Sequence, residues 1–221
     1  FAKIVTVTFE SSLKDYGEKA MWIGNPIRRE ILNFKFEIRE LKKKFDLNEN
    51  LPVVLILGGG TGAMMINKLL KNSLAELTKF CQVIHVTGKD KSVLSNELRI
   101  MNYGKYEFFD AKQMARAMGA ADLVVTRGGL ATLSELSHLG KPSIIIPMPD
   151  SHQAANAAFF KSRKAALVVE QKNLTTENFT SLIKDLLADE KLRGQLATNM
   201  GRAMKKGANL EMAKIINKII R

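Results

Sequence analysis

Three loops carry the residue types that could do chemistry. Leu57-Gly58-Gly59-Gly60-Thr61-Gly62-Ala63 joins a strand-like run to a helix-like one. Glycines at such a junction let the backbone approach a ligand closely, and the helix start presents free N–H groups and a positive dipole to a phosphate. Thr126-Arg127-Gly128-Gly129 repeats the arrangement before Leu130-Ala131-Thr132-Leu133-Ser134-Glu135 opens the next helix. Thr132 is placed there to cap the helix or to bond an anion. Glu135, read as part of the first turn, either complements the dipole or accepts both hydroxyls of a ribose. The third loop, Pro147-Met148-Pro149-Asp150-Ser151-His152-Gln153, also leads from strand to helix. His152 and Gln153 read either as surface and capping residues or as partners of sugar hydroxyls.

Other chemistries are poorly supplied. Gly58, Gly60 and Ala63 satisfy a dinucleotide fingerprint, but the second strand ends Thr87-Gly88-Lys89, with Asp90 too far along to be its ribose acid. No Gly-Lys-Ser/Thr follows the loop, so a Walker-type phosphate loop is excluded; a turn that only packs helix on sheet stays open. There is no D-x-D pair, no metal-ligand spacing, and no Ser or Cys nucleophile in a recognisable arrangement with a histidine. His85 lies within a strand and His138 near a helix end, and both read as structural. What remains is positioning, plus electrostatic help to a phosphate leaving group.

The elements that must hold these loops alternate along the chain. Val53–Leu57, Val83–Thr87, Tyr106–Phe109, Leu123–Thr126, Ser143–Pro147 and Ala166–Val169 read as buried strands. Helical periodicity fills the intervals at Met64–Phe80, Lys112–Ala120, Ala131–Leu139 and Ala154–Lys164. This order predicts an α/β fold with a doubly wound parallel sheet. After Val169 the pattern is all-helical, through Thr176–Leu187, Glu190–Lys205 and an amphipathic Leu210–Ile220. Before the first sheet strand, Lys3–Thr8 and Met21–Ile23 look like strands and Gly24-Asn25-Pro26 like a turn. Ile27, Ile31, Phe34, Ile38, Leu41 and Phe45 then predict one amphipathic helix.

Composition bounds the rest. The chain has 221 residues, a net charge of +12, 46% hydrophobic and 25% charged residues, which fits a globular fold and excludes disorder. A single cysteine, Cys81, excludes an intrachain disulfide framework. The longest apolar runs fall far short of the ~20 residues that span a bilayer, and no signal peptide is visible. A chain opening on Phe1 suggests a fragment or processed product. The basic balance admits nucleic acid, an anionic membrane surface or phosphorylated substrates. Aromatics are only 7% and do not alternate with lysines, which leaves a stacking platform for single strands unsupported. Arg39, Lys42, Lys43 and Lys44 read as a solvated helix face or, in second place, as membrane contacts.

Gly24-Asn25-Pro26-Ile27-Arg28, Gly58–Ala63, Arg127–Glu135 and His152-Gln153 with Asn156-Ala157 resemble successive motifs of the MurG family, in order and through nearly the whole chain. That family comprises bacterial N-acetylglucosaminyltransferases of the two-domain GT-B fold. The resemblance implies the Rossmann-like donor-binding half of an inverting enzyme. That enzyme moves N-acetylglucosamine from UDP to the C4 hydroxyl of a muramoyl sugar on undecaprenyl diphosphate, in peptidoglycan synthesis. It implies that Arg28 contacts the nucleotide-sugar and that Gly60 and Thr61 face the diphosphate. The backbone near Phe108 and Phe109 would hold uracil, and Leu130, Ala131, Thr132, Leu133 and Ser134 would cradle phosphate. Glu135 would bind the ribose, while His152 and Gln153 read sugar hydroxyls. Gly60 stands where the family usually has serine, Gly128 where it more often has serine or alanine, and Phe109-Asp110-Ala111 runs one residue longer.

By the same resemblance, residues 1–26 are the end of an acceptor domain whose body is absent, 27–206 the donor domain, and 207–221 a helix that crosses back onto the missing part. The catalytic base is expected in that missing domain. No cofactor and no metal are implied. The implied partners are UDP-N-acetylglucosamine, the lipid-linked muramoyl acceptor and an anionic inner-membrane surface, with no nucleic acid. The implied place is peripheral, on the cytoplasmic face of the bacterial membrane. Transferases acting on diacylglycerol or dolichol lipids, a UDP-N-acetylglucosamine 2-epimerase, and a non-catalytic donor-binding subunit remain alternatives.

Overall fold

The chain begins with a small parallel pair, β1 (Val5–Val7) and β2 (Ala20–Trp22), connected through α1 (Leu13–Tyr16). The structure, a computed structural model, describes residues 2–35, 37–58, 64–93 and 100–220. The helix expected from Ile27 to Phe45 is two helices, α2 (Arg29–Leu32) and α3 (Ile38–Lys44). Asn33 ends α2 outside helical geometry, and Phe34 then packs on Gly119, where any added Cβ would lie 2.0 Å from the ring. Leu41 meets the same glycine.

The main sheet has β3 (Val53–Leu57), β4 (Gln82–Val86), β5 (Tyr103–Tyr106), β6 (Leu123–Thr126), β7 (Ser143–Ile145) and β8 (Leu167–Val168). All pairs are parallel, in the order β5-β4-β3-β6-β7-β8. Between and after them run α4 (Met64–Leu77), α5 (Ala111–Ala120), α6 (Leu130–Leu139), α7 (His152–Ser162), α8 (Thr176–Ala188), α9 (Glu190–Ala203) and α10 (Ala208–Ile219). The strands alternate between two cores. Val53, Leu55 and Leu57 pack with Ile31, Met118 and Phe160, whereas Val54 and Ile56 pack with Leu70, Leu74, Phe179 and Ile183. Cover on both faces is why β3 is apolar at every position.

The predicted doubly wound sheet is therefore the observed fold, with one strand misplaced. β5 ends where the expected strand Tyr106–Phe109 begins. As an edge strand it is only half-buried and lacks a continuous apolar run. The Phe108-Phe109 pair that mimicked one lies in the loop before Asp110, whose carboxylate caps α5 with Gln113 returning the bond. At the other end of the chain, α9 stops at Ala203, before the expected Lys205, because Met204 is extended. Lys205 consequently reaches Trp22, donating from Nζ to its carbonyl at 2.7 Å with the ammonium 4.7 Å from the ring centroid. Among the described residues no helix is long and apolar enough to cross a membrane.

Candidate functional site

The chain runs from β3 outward to β4 and β5, then returns to β6 on the other side of β3. Loops leaving the carboxyl ends of β3 and β6 must diverge there, which opens a crevice. A cleft of about 260 Å³ occupies this position, lined by Arg28, Gly58, Gly88, Lys89, Phe108 and Thr132, with Phe109 at its edge. A larger groove, about 880 Å³, lies between α7 and α9 around Lys161, Lys164 and Lys191, and no described residue of the three glycine- or proline-rich loops lines it.

Glu135 follows Thr132 by one helical turn and pairs with Arg28, and both of those residues line the cleft. Helix α6 begins at Leu130, so Glu135 falls in its second turn, not the first as expected, and the helix carries no acid in its first turn. Its side chain is 3% exposed. Oε1 accepts from Arg28 Nε at 2.5 Å, while Oε2 is buried with no hydrogen-bond partner among the described residues. Burial holds this carboxyl above its ordinary range, and the adjacent Arg28 cation offsets that only in part. A role confined to the helix dipole does not account for a buried acid with an unpartnered oxygen.

The rest of the Leu130–Glu135 stretch divides by face. Leu133 enters the core. Ser134 is buried, donating to Leu130 O at 2.7 Å and accepting from Asn25 Nδ2 at 2.9 Å. Leu130, Ala131 and Thr132 remain at the surface, and since Gly129 caps α6 without a side chain, an anion there would meet backbone N–H groups. Thr132 thus lines the cleft and does not cap. Asn25, to which no role was given from sequence, ties the turn before Arg28 to α6.

Gln153 and His152 open α7 behind Ser151, whose hydroxyl accepts from Gln153 N. Gln153 Oε1 accepts from Met148 N at 3.0 Å and from Gly128 N at 3.4 Å, joining the second loop to the third. Asn156 donates to Gly128 O at 2.8 Å. Gly128 permits the approach, because an added Cβ would lie 2.7 Å from Gln153 O. Arg127, buried, donates to Ile146 O and to Gln171 Oε1, bracing three loops together. Arg127 and Asn156 were visible as motif members, but nothing in the sequence distinguished bracing from ligand contact. His152 is exposed at the helix start.

Phe109 is 3% exposed, its ring against Tyr106 and Phe45, whereas Phe108 is 77% exposed at the cleft. Gly60 and Thr61 lie outside the described residues. No three His, Cys, Asp or Glu side chains group as metal ligands among the described residues.

The family model described as the glycosyltransferase family 28 C-terminal domain matches residues 53–218. The chain belongs to this family. Curated relatives of the family 28 chain include proteins of Lactobacillus johnsonii (35% identical, 91% of this chain, 56% of the relative), Acetivibrio thermocellus (35%, 90%, 56%) and Finegoldia magna (32%, 87%, 54%). Each is named UDP-N-acetylglucosamine--N-acetylmuramyl-(pentapeptide) pyrophosphoryl-undecaprenol N-acetylglucosamine transferase. The chain spans little more than half the length of these curated relatives. Among solved structures, Acinetobacter baumannii MurG superposes with a TM-score of 0.71 at 23% identity, over 98% of this chain and 60% of that one. The glycosyltransferase of kitacinnamycin superposes at 0.72 and 18%, over 98% and 54%. These likenesses show a family 28 C-terminal domain with the parallel α/β fold found in GT-B glycosyltransferases.

Proposed function

We propose that this chain is the UDP-N-acetylglucosamine-binding part of a peptidoglycan glycosyltransferase that converts the lipid-linked muramoyl pentapeptide to its disaccharide. The buried, half-partnered Glu135 carboxylate carries the reading. A ribose diol supplies two O–H donors, and a carboxylate held at the switch point with one oxygen unpartnered is suited to accept both once Arg28 turns toward the phosphates. Uracil then falls beside Phe108 and Phe109. The diphosphate falls at the starts of α4 and α6, and the sugar toward His152 and the amide of Gln153. Gly60 and Thr61 are assigned to the diphosphate by motif alone.

In this reading the acceptor hydroxyl attacks the anomeric carbon, the bond to the diphosphate oxygen breaks, and UDP leaves with the electron pair. Helix N-termini and Arg28 stabilise that charge, so a bridging cation is not required. The base that takes the acceptor proton and the acceptor site are assigned to sequence beyond these 221 residues. Residues 1–26 and the apolar stripe of α10, with Leu210, Ile216 and Ile219 exposed, are assigned to contacts with that part. We place the enzyme on the cytoplasmic face of the bacterial membrane, drawn to anionic lipid by its +12 charge, without a nucleic-acid partner.

Calorimetry on this chain tests the proposal. UDP and UDP-N-acetylglucosamine should bind in preference to ADP and GDP, and equal affinity for ADP would overturn it. Epimer formation from UDP-N-acetylglucosamine without acceptor would instead identify an isomerase.

A further inference from the structure

His85 and Asn67 are both fully buried, in the middle of β4 and the first turns of α4, and neither touches the cleft. Asn67 donates both amide hydrogens to backbone carbonyls of one turn, Thr87 O at 3.0 Å and Lys91 O at 2.9 Å. Its Oδ1 is left as an acceptor, 3.0 Å from His85 Nε2. The hydrogen of His85 therefore sits on Nε2, and Nδ1 accepts from the Tyr103 hydroxyl at 2.9 Å. Every polar atom of the Asn67 and His85 side chains has a partner in one consistent orientation.

The turn so held includes the cleft wall. Gly88 and Lys89 line the cleft. Gly88 has φ +87° and Asp90 φ +57°, left-handed geometries that an unsupported turn would readily leave. Lys91 N donates to Gly88 O at 3.2 Å, closing the turn, and Gly88 N donates to Glu107 O at 3.1 Å, linking it to the loop that carries Phe108. The other end of the brace is α4, the helix that follows the Gly58–Ala63 loop. One amide side chain thus sets the distance between the helix after the first glycine loop and the wall on the far side of the cleft.

We infer that His85 and Asn67 are positioning residues for the nucleotide. His85 holds the Asn67 amide in the one orientation that fixes the Thr87–Lys91 turn, and through it Gly88 and Lys89, against the donor. The inference rests on the cleft being the UDP site proposed above.

Two substitutions of His85 separate positioning from mere filling of space. His85→Gln places an N–H near Nε2 and keeps the bond to Asn67. His85→Asn keeps an acceptor near Nδ1 and loses that bond. Hydrogen exchange at the Thr87, Gly88 and Lys91 amides and UDP affinity are measured on both. His85→Asn is expected to speed exchange at these amides at least tenfold and weaken UDP about fivefold to thirtyfold, with His85→Gln restoring both to within about twofold of wild type. If His85→Asn does not fold, Asn67→Ser provides the same loss by removing both carbonyl contacts. Equal behaviour of the two His85 variants, or unchanged exchange in Asn67→Ser, would overturn the inference. If the wild-type chain binds no UDP while exchange follows the expected pattern, the brace stands and the donor assignment fails.

Discussion

Arg28 Nε and Glu135 Oε1 lie 2.5 Å apart, yet the pair leaves Glu135 Oε2 buried and unpartnered. The two residues are 107 positions apart in sequence, one from the turn before α2 and one from α6. The arginine is 33% exposed and the acid 3%, so the cation can turn away into solvent or toward a ligand while the carboxylate cannot.

Glu135→Ala should lower UDP affinity by roughly tenfold to a hundredfold, the loss of charge-assisted bonds to a ribose diol worth about 1.5–3 kcal/mol. Fold stability should change little or rise, since an unpartnered buried oxygen is removed. Paired calorimetry and denaturant titration check both. A variant that unfolds easily and still binds UDP normally would mark Glu135 as structural.

Affinity for UDP should also fall on acidification earlier than an exposed glutamate would dictate. Burial holds the Glu135 carboxyl above the ordinary range, so its acceptor form is lost as pH drops through that raised value. Binding measured across mildly acidic pH, in wild type and Glu135→Gln, isolates the effect, because the glutamine variant should lack it.

Fold stability should fall between near-neutral and acid pH through His85. Burial, with Lys105 adding to it, lowers its pKa from 6.5 to about 4. Between those values the unfolded chain binds the proton and the folded chain does not, so stability rises with pH and is lost as pH falls from 6.5 toward 4. The shift corresponds to on the order of 3 kcal/mol. Urea midpoints at pH 7 and pH 4.5 for wild type and His85→Gln should differ, with the variant less sensitive.

Chelator should leave UDP affinity within about twofold, if helix N-termini and Arg28 carry the phosphate charge. Titrations with EDTA and with added Mg²⁺ or Mn²⁺ read this directly. A tenfold dependence on either cation would require a metal-bridged diphosphate.

Gly24→Ala should destabilise the join between the N-terminal pair and the domain. Gly24 has φ +86°, and an added Cβ would lie 2.4 Å from Lys205 O. The left-handed backbone alone costs about 1–2 kcal/mol, and the contact with a carbonyl oxygen adds to it. Loss of the Trp22–Lys205 contact should accompany this as a change in Trp22 fluorescence.

Strand–helix alternation determined the sheet, because strands covered on both faces are built mainly from apolar residues, as Val53–Leu57 and Leu123–Val125 are. Glycine-rich junctions determined where a ligand could approach, since only those backbones leave room. Three things were beyond local pattern. An edge strand needs no apolar run, so Tyr103–Tyr106 was missed in favour of Phe108-Phe109. A helix break need not show in the apolar spacing, so the segment from Ile27 to Phe45 is two helices, with Phe34 and Leu41 both against Gly119. Above all, partnership between distant residues has no periodicity: Arg28 with Glu135, Asn25 with Ser134 and Asn67 with His85 are pairs only after folding. The residue types were legible in sequence, but which carboxylate oxygen stays unpartnered, and which glutamine carbonyl is occupied by backbone amides, is decided by burial and hydrogen-bond geometry that exist only in the packed chain.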